Sequence, residues 1–179
     1  MPFSGLDSSK NEKEEIDMPI ISARVDNRLL HGIVATQWAP LIGAQRVMII
    51  DDHIASDPLL KSGMQMGKPA GCALSIITEE TAYNNFSAGK YNNQTVFVIV
   101  QSPAILKHLT DIGQKIPKVV VGGTVTPEDG VEAVQVSRRA YVTKADEAVY
   151  QSLAAAGADL TVQYVPKDKE EKLSQYISL

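Results

Sequence analysis

Cysteine is almost absent from these 179 residues: Cys72 stands alone, so no intrachain disulfide can form and a reducing, cytoplasmic compartment is expected. Cys72 lies in the apolar run 72–77, where a small buried side chain is expected rather than a nucleophile. A basic excess is also missing. Seventeen Lys and Arg face 21 Asp and Glu, a net charge of −4, which argues against general nucleic-acid binding and leaves room only for a local basic patch around Arg24 and Arg28. No apolar run approaches the ~20 residues of a membrane-spanning helix. The glycine fingerprint that a dinucleotide-binding domain carries after its first strand is absent, and the loop Gly67-Lys68-Pro69-Ala70-Gly71 lacks both the spacing and the following Ser or Thr of a P-loop. Lys68 is therefore given no catalytic role.

What is present is an ordinary globular composition, 44% hydrophobic and 21% charged, at a length that fits one domain with a sizeable core. Residues 1–17 are polar, charged and aperiodic, without the apolar centre of a signal peptide; they are expected to be a disordered leader or tag, with the folded domain at 18–179. Beyond them, short β-branched runs at 19–25, 45–50, 72–77, 95–100, 118–121, 140–142 and 160–165 alternate with helix-length segments. Ser56-Asp57-Pro58, Thr78-Glu79-Glu80, Ser102-Pro103 and Thr143 with Asp146 supply helix starts, and Gly89, Gly113 and Gly157 supply stops. Residues 127–136 fit a short helix or an extended connection, and the tail from Asp168 reads as a charged terminal helix. The alternation predicts a single α/β domain whose mostly parallel β-sheet is covered by helices on both faces.

The chemistry concentrates where the first strand gives way to the first helix. Ala23 to Trp38 places Arg24, Asp26, Arg28 and His31 within eight residues, followed by Val34, Trp38 and Leu41 at the i, i+4, i+7 spacing of an apolar helical stripe. His31 then sits at a helix N-terminus, where free N–H groups and the helix dipole favour a phosphate. A histidine that carries phosphate needs a neutral ring nitrogen, cations for the phosphoryl oxygens and a group that fixes its tautomer. Arg28 can clamp the oxygens, and Asp26 can orient either Arg28 or His31. A solvated turn pair and a simple helix cap fit the same spacing. Asp51, Asp52 and His53 follow the second strand and suggest a metal, but neighbours on a strand end diverge; a cap or hydrogen bond is the expected role, and no metal is expected. His108 falls on the polar face of its helix, where a solvated histidine is expected.

The run Arg24-Val25-Asp26-Asn27-Arg28-Leu29-Leu30-His31-Gly32 resembles the R-[IV]-D-[DE]-R-[LF]-I-H-G-Q-V signature of enzyme IIB subunits of the sugar phosphotransferase system (PTS), mannose/fructose/sorbose family. The likeness continues through Ala35-Thr36-Gln37-Trp38, and more weakly through residues 44–52 and Val121-Gly122-Gly123. Asn27 replaces the usual second acidic residue, Ile33 the common Gln, and Thr124 a frequent methionine. The resemblance implies that His31 is the phosphohistidine, accepting on its δ1 nitrogen, with Arg28 and Asp26 as its catalytic neighbours. Arg24, Asn27, Gly32, Gly122 and Gly123 are implied as a second tier of the active-site loop.

It further implies a cytoplasmic phosphocarrier, peripherally associated with its transporter and without a cofactor. Phosphate would come from a cognate IIA and pass to a hexose or amino-hexose, N-acetylgalactosamine among them, during import with membrane subunits IIC and IID. Self-association is left open. The alternatives are a non-catalytic module in which Arg28 and His31 bind a phosphorylated partner, and a nucleotide-binding or oxidoreductase domain, which the missing glycine fingerprint opposes.

Overall fold

β-Branched runs build the sheet. In the computed structural model, which describes residues 18–179 so that the expected leader at 1–17 lies outside the described residues, the strands are β1 (Ile20–Asp26), β2 (Arg46–Ile50), β3 (Ala73–Ile77), β4 (Val96–Val100), β5 (Lys118–Gly123), β6 (Ala133–Ser137), β7 (Ala140–Thr143), β8 (Asp159–Val162) and β9 (Glu171–Lys172). Seven of them form one sheet in the order β3-β2-β4-β1-β5-β8-β9, parallel except for the edge strand β9. The helices are α1 (Ala39–Ile42), α2 (Asp52–Ser56), α3 (Pro58–Gln65), α4 (Glu79–Ser87), α5 (Pro103–Asp111) and α6 (Lys144–Ala155). No helix among the described residues is long and apolar enough to cross a membrane.

The central strands are buried on both sides, as parallel strands under helices must be. Along β4, Val96, Val98 and Val100 point into a core completed by α4, α5 and α6, while Phe97 and Ile99 point into a second core with Leu29, Leu30, Val34 and Trp38. Fold class and two-sided cover agree with the sequence pattern. The chain leaves β1 toward the second core, and leaves β4 and β5 toward the first. Adjacent strands whose connections diverge open a crevice at their carboxyl ends, where α/β sheets hold ligands. The β1 carboxyl end, Asp26, stands in it.

Four local expectations change. The helix after His31 is not uniformly α: Val34–Trp38 is a π-helical turn, closed by the Ala39 N–H on the Val34 carbonyl, before α1. Pro40 lacks the N–H that an α-helix would direct at Thr36 and its ring crowds that carbonyl, so the turn ahead of it widens by one residue. The phase shift leaves Val34, Trp38 and Ala39 buried but turns Leu41 outward, 63% exposed. Residues 133–137 are extended, one of the two expected readings, but β7 pairs antiparallel with β6 in a separate hairpin rather than joining the sheet.

The tail from Asp168 is not a helix. It holds β9 and a short 3-10 turn (Leu173–Gln175), because Leu173 buries itself completely and Lys172 pairs with Asp159 across the sheet edge. Those tertiary contacts override the helix-like spacing of Leu173 and Ile177. Cys72 is half-buried rather than fully buried, and packs against the second core.

Candidate active site

Asp26 ends the central strand with its carboxylate 1% exposed, and both oxygens are occupied. Oδ2 accepts from Arg24 Nε at 3.0 Å and faces His31 Nε2, also at 3.0 Å; Oδ1 accepts from the Arg28 backbone N–H at 3.0 Å. The last contact, from a carboxylate to the N–H two residues on, closes an Asx turn. The Leu29 N–H on the Asp26 carbonyl and the Asn27 N–H on the Gly123 carbonyl complete it. Leu29 takes φ +56°, a left-handed conformation uncommon for a non-glycine residue and found most often at functional turns. Burial of Leu29 and Leu30 holds it there, worth about 1.5–3 kcal/mol for each side chain.

His31 follows at the N-cap position of the helical segment 32–42, its carbonyl accepting from Ala35 N–H. An ionised carboxylate can only accept, so the contact to Asp26 fixes the proton on Nε2 and leaves the Nδ1 lone pair as the basic, nucleophilic position of the neutral ring. The His31 side chain is only 8% exposed. Access is through a cleft of about 570 Å³ whose walls include Thr36, Pro40, Met66 and Lys68.

Arg24 is fully buried, so it takes no part in the surface basic patch for which the composition left room. Its Nε donates to Asp26, Nη1 to the Gln163 carbonyl and Nη2 to the Tyr164 carbonyl, and Cζ lies 4.9 Å from the Trp38 ring. Burial draws its pKa below the ordinary value, and the charge and hydrogen bond of Asp26 oppose that shift. A guanidinium stays protonated in such a setting, so Arg24 is a permanent buried cation paired with the Asp26 carboxylate. Gly122 makes room for it: a Cβ there would lie 2.0 Å from Arg24 Nη2. Gly123 stays clear of Asn27 and of the Arg139 carbonyl. Gly32 is exposed, with open space around its Cα.

The structure thus joins Arg24, Asp26 and His31 and selects His31, rather than the Arg28 side chain, as the group Asp26 orients. Arg28 instead lines a second cleft, of about 250 Å³, with Arg138 and Arg139 from the β6–β7 turn. Arg139 stacks on Tyr164, 4.3 Å from the ring centroid. Sequence reasoning missed Arg138, Arg139 and Tyr164; the adjacent arginine pair at a turn was the one available signal. It also gave no role to Lys68, which shares the His31 cleft.

Asp51 and Asp52 supply the expected cap and hydrogen bond: Asp51 caps α2 through Ile54 N–H, and Asp52, in the first turn of α2, accepts from Glu79 N–H. Among the described residues no three His, Cys, Asp or Glu side chains gather in a metal-binding group. His108 is exposed and stacks on Tyr83 at 3.8 Å.

The family described as the PTS system sorbose subfamily IIB component matches residues 20–179. The chain is 29% identical over 161 residues to the PTS system mannose-specific EIIAB component of Escherichia coli, covering 90% of this chain and 49% of that protein. It therefore spans about half the length of that relative. It is 26% identical over 160 residues to the PTS system fructose-specific EIIB component of Bacillus subtilis, covering 89% of this chain and 96% of that one. Among solved structures it is similar to the PTS system N-acetylgalactosamine-specific IIB component 1 from Escherichia coli, with a TM-score of 0.75 and 29% identity, over 86% of this chain and 99% of the other.

Proposed function

The chain belongs to the sorbose-subfamily IIB components of the phosphotransferase system, and from that premise we propose that His31 Nδ1 is the phosphoryl carrier. A cognate IIA subunit is the donor, and a hexose or amino-hexose entering through membrane subunits IIC and IID is the acceptor. The protein works in the cytoplasm at the face of that transporter. The observation that carries this reading is the contact between His31 Nε2 and the buried carboxylate of Asp26. It supplies the tautomer with Nδ1 unprotonated, and the Asp26 charge then balances the imidazolium character of the phosphorylated ring.

In the first half-reaction the Nδ1 lone pair attacks phosphorus in line, the bond from phosphorus to the IIA donor group breaks, and that group leaves. In the second, a sugar hydroxyl oxygen attacks, the Nδ1–P bond breaks, and the hydroxyl proton passes to a base. Throughout, Nε2 keeps its proton and donates it in the hydrogen bond to Asp26 Oδ2. The exposed Arg28 side chain is long enough to turn toward the phosphoryl oxygens, and Lys68 brings a further cation to the cleft that His31 lines.

The test is phosphate transfer from phosphoenolpyruvate through the general PTS proteins and the cognate IIA. The native chain is expected to take an acid-labile, base-stable label that His31→Ala lacks. A folded native chain left unlabelled by phosphorylated IIA would instead favour a module that binds a phosphorylated partner without accepting its phosphate.

A further inference from the structure

The cleft lined by Arg28, Arg138 and Arg139 borders a second compartment at the carboxyl ends of β1, β4 and β5. The two share Asn27, Thr124 and Tyr141 as common walls. Their polarity differs. The first compartment, about 250 Å³, holds three arginines that form no ion pair among the described residues. The second, about 150 Å³, is walled by Val25, Pro103 and Val125 and carries Gln101, Asp146 and Tyr150.

Asp146 and Tyr150 lie four residues apart on α6 and so share one helix face. Tyr150 is only 2% exposed, yet its hydroxyl makes no hydrogen bond among the described residues. Burial, with the charge of Asp146, raises its pKa, so it is held as a neutral donor. The Asp146 carboxylate makes no ion pair among the described residues either. The fully enclosed hydroxyls without a partner are those of Ser22 and Thr161; Tyr150 and the half-buried Asp146 instead line the cleft, where such groups are ordinarily matched by a ligand or a water.

We propose that the double cleft binds the phosphate monoester of a hexose, phosphate among the three arginines and sugar ring in the compartment of Asp146 and Tyr150. Arginine forks match the geometry of a dianionic phosphate. A carboxylate, an amide and a phenol are the acceptors and donors that vicinal hydroxyls need, and Tyr141 lines both compartments. Together the compartments reach the lower end of the ~300–1,000 Å³ range of small-ligand sites. The choice of a hexose ester over other polyol phosphates rests on the phosphocarrier reading, whose product is such an ester. The site would let that product compete for the face where the phosphoryl group is handled.

The experiment is calorimetric titration of the full, unphosphorylated chain and of full-length His31→Ala. The probes are mannose 6-phosphate, N-acetylgalactosamine 6-phosphate, the free sugars and inorganic phosphate. At least one ester is expected to bind ten-fold or more tightly than inorganic phosphate or its free sugar, equally in both proteins. Tyr150→Phe and Asp146→Asn should each weaken the ester by about three- to ten-fold, the worth of one hydrogen bond, and leave inorganic phosphate unchanged; Arg139→Gln should weaken both.

An ester no tighter than inorganic phosphate overturns the proposal. So does binding lost in His31→Ala, or ester affinity untouched by both α6 substitutions in proteins with native melting curves. Ester binding in a chain that fails to take phosphate on His31 would sustain this site while removing the phosphocarrier reading.

Discussion

Replacing Gly122 by alanine adds one methyl group at the place where the site is least able to accept it. The new Cβ would lie 2.0 Å from Arg24 Nη2, 2.1 Å from Cζ and 2.6 Å from Nε. A guanidinium at the end of an exposed side chain would swing away at little cost. This one is fully buried and is tied at three nitrogens to Asp26, Gln163 and Tyr164. Displacing it breaks a buried ion pair and leaves Asp26 uncompensated, a loss of about 3–5 kcal/mol. For a domain of this size each kcal/mol lowers Tm by roughly 2–4 °C, so Gly122→Ala should melt about 6–20 °C below the native chain.

Two controls frame the measurement. Gly63→Ala lies in α3 with nothing within 4 Å of the new Cβ, and helix propensity alone should leave stability equal or raise it by up to ~1 kcal/mol. Gly123→Ala meets Asn27 Oδ1 at 3.1 Å, a contact that a small side-chain movement relieves. Thermal denaturation followed by circular dichroism gives the three Tm values. A Gly122→Ala protein melting within about 2 °C of native would refute the claim that Arg24 is pinned.

Asp26→Asn should cost about 3–5 kcal/mol through the same stranded arginine and reduce phosphorylation of His31 by ~10²–10⁴-fold; imidazole ¹⁵N shifts should show the population with the proton on Nε2 falling. Arg28→Ala, at an exposed side chain, should leave Tm within ~0.5 kcal/mol of native while slowing phosphoryl transfer ~10²–10³-fold in a rapid-quench assay. Tyr150 has its pKa raised on folding, so the folded state holds this proton more tightly than the unfolded chain. Its stability contribution is complete below the unfolded value of 10.0 and is lost as pH rises toward the higher folded value. Urea midpoints should therefore fall above pH 10, and Tyr150→Phe should flatten that limb.

The parts of the site legible in the sequence are those contiguous in it. Arg24, Asp26 and His31 span one strand end and one turn, and a left-handed Leu29 is enough to bring the imidazole back to the carboxylate. Gln163 and Tyr164, which hold Arg24, lie about 140 residues away and contribute only main-chain carbonyls, which carry no residue signature. Arg138 and Arg139 reach the crevice because β6 and β7 form a hairpin outside the sheet, whereas the run 140–142 reads as one more parallel strand. Leu41 was misplaced because Pro40 changes helix phase without changing apolar spacing. The alternating pattern of strands and helices survived these local errors, since core burial along the sheet outweighs any single turn.

One consequence of this wiring is that the carboxyl-terminal third of the chain controls the geometry of the amino-terminal motif. The Tyr164 carbonyl accepts from both Arg24 Nη2 and Trp38 Nε1 at 3.0 and 2.8 Å. It thereby joins the strand that carries Asp26 to the helical segment that begins at His31. The Tyr164 ring meanwhile supports Arg139 over the basic cleft. Movement of the segment at 163–164 would alter three things together: the charge partner of Asp26, the seat of the helix behind His31, and the position of a cleft arginine. If His31 carries phosphate as proposed, such coupling keeps its tautomer fixed while the phosphoryl group arrives and leaves. The orienting carboxylate is then fixed by the sheet and by distant backbone, and only the exposed arginines remain free to follow the phosphoryl group.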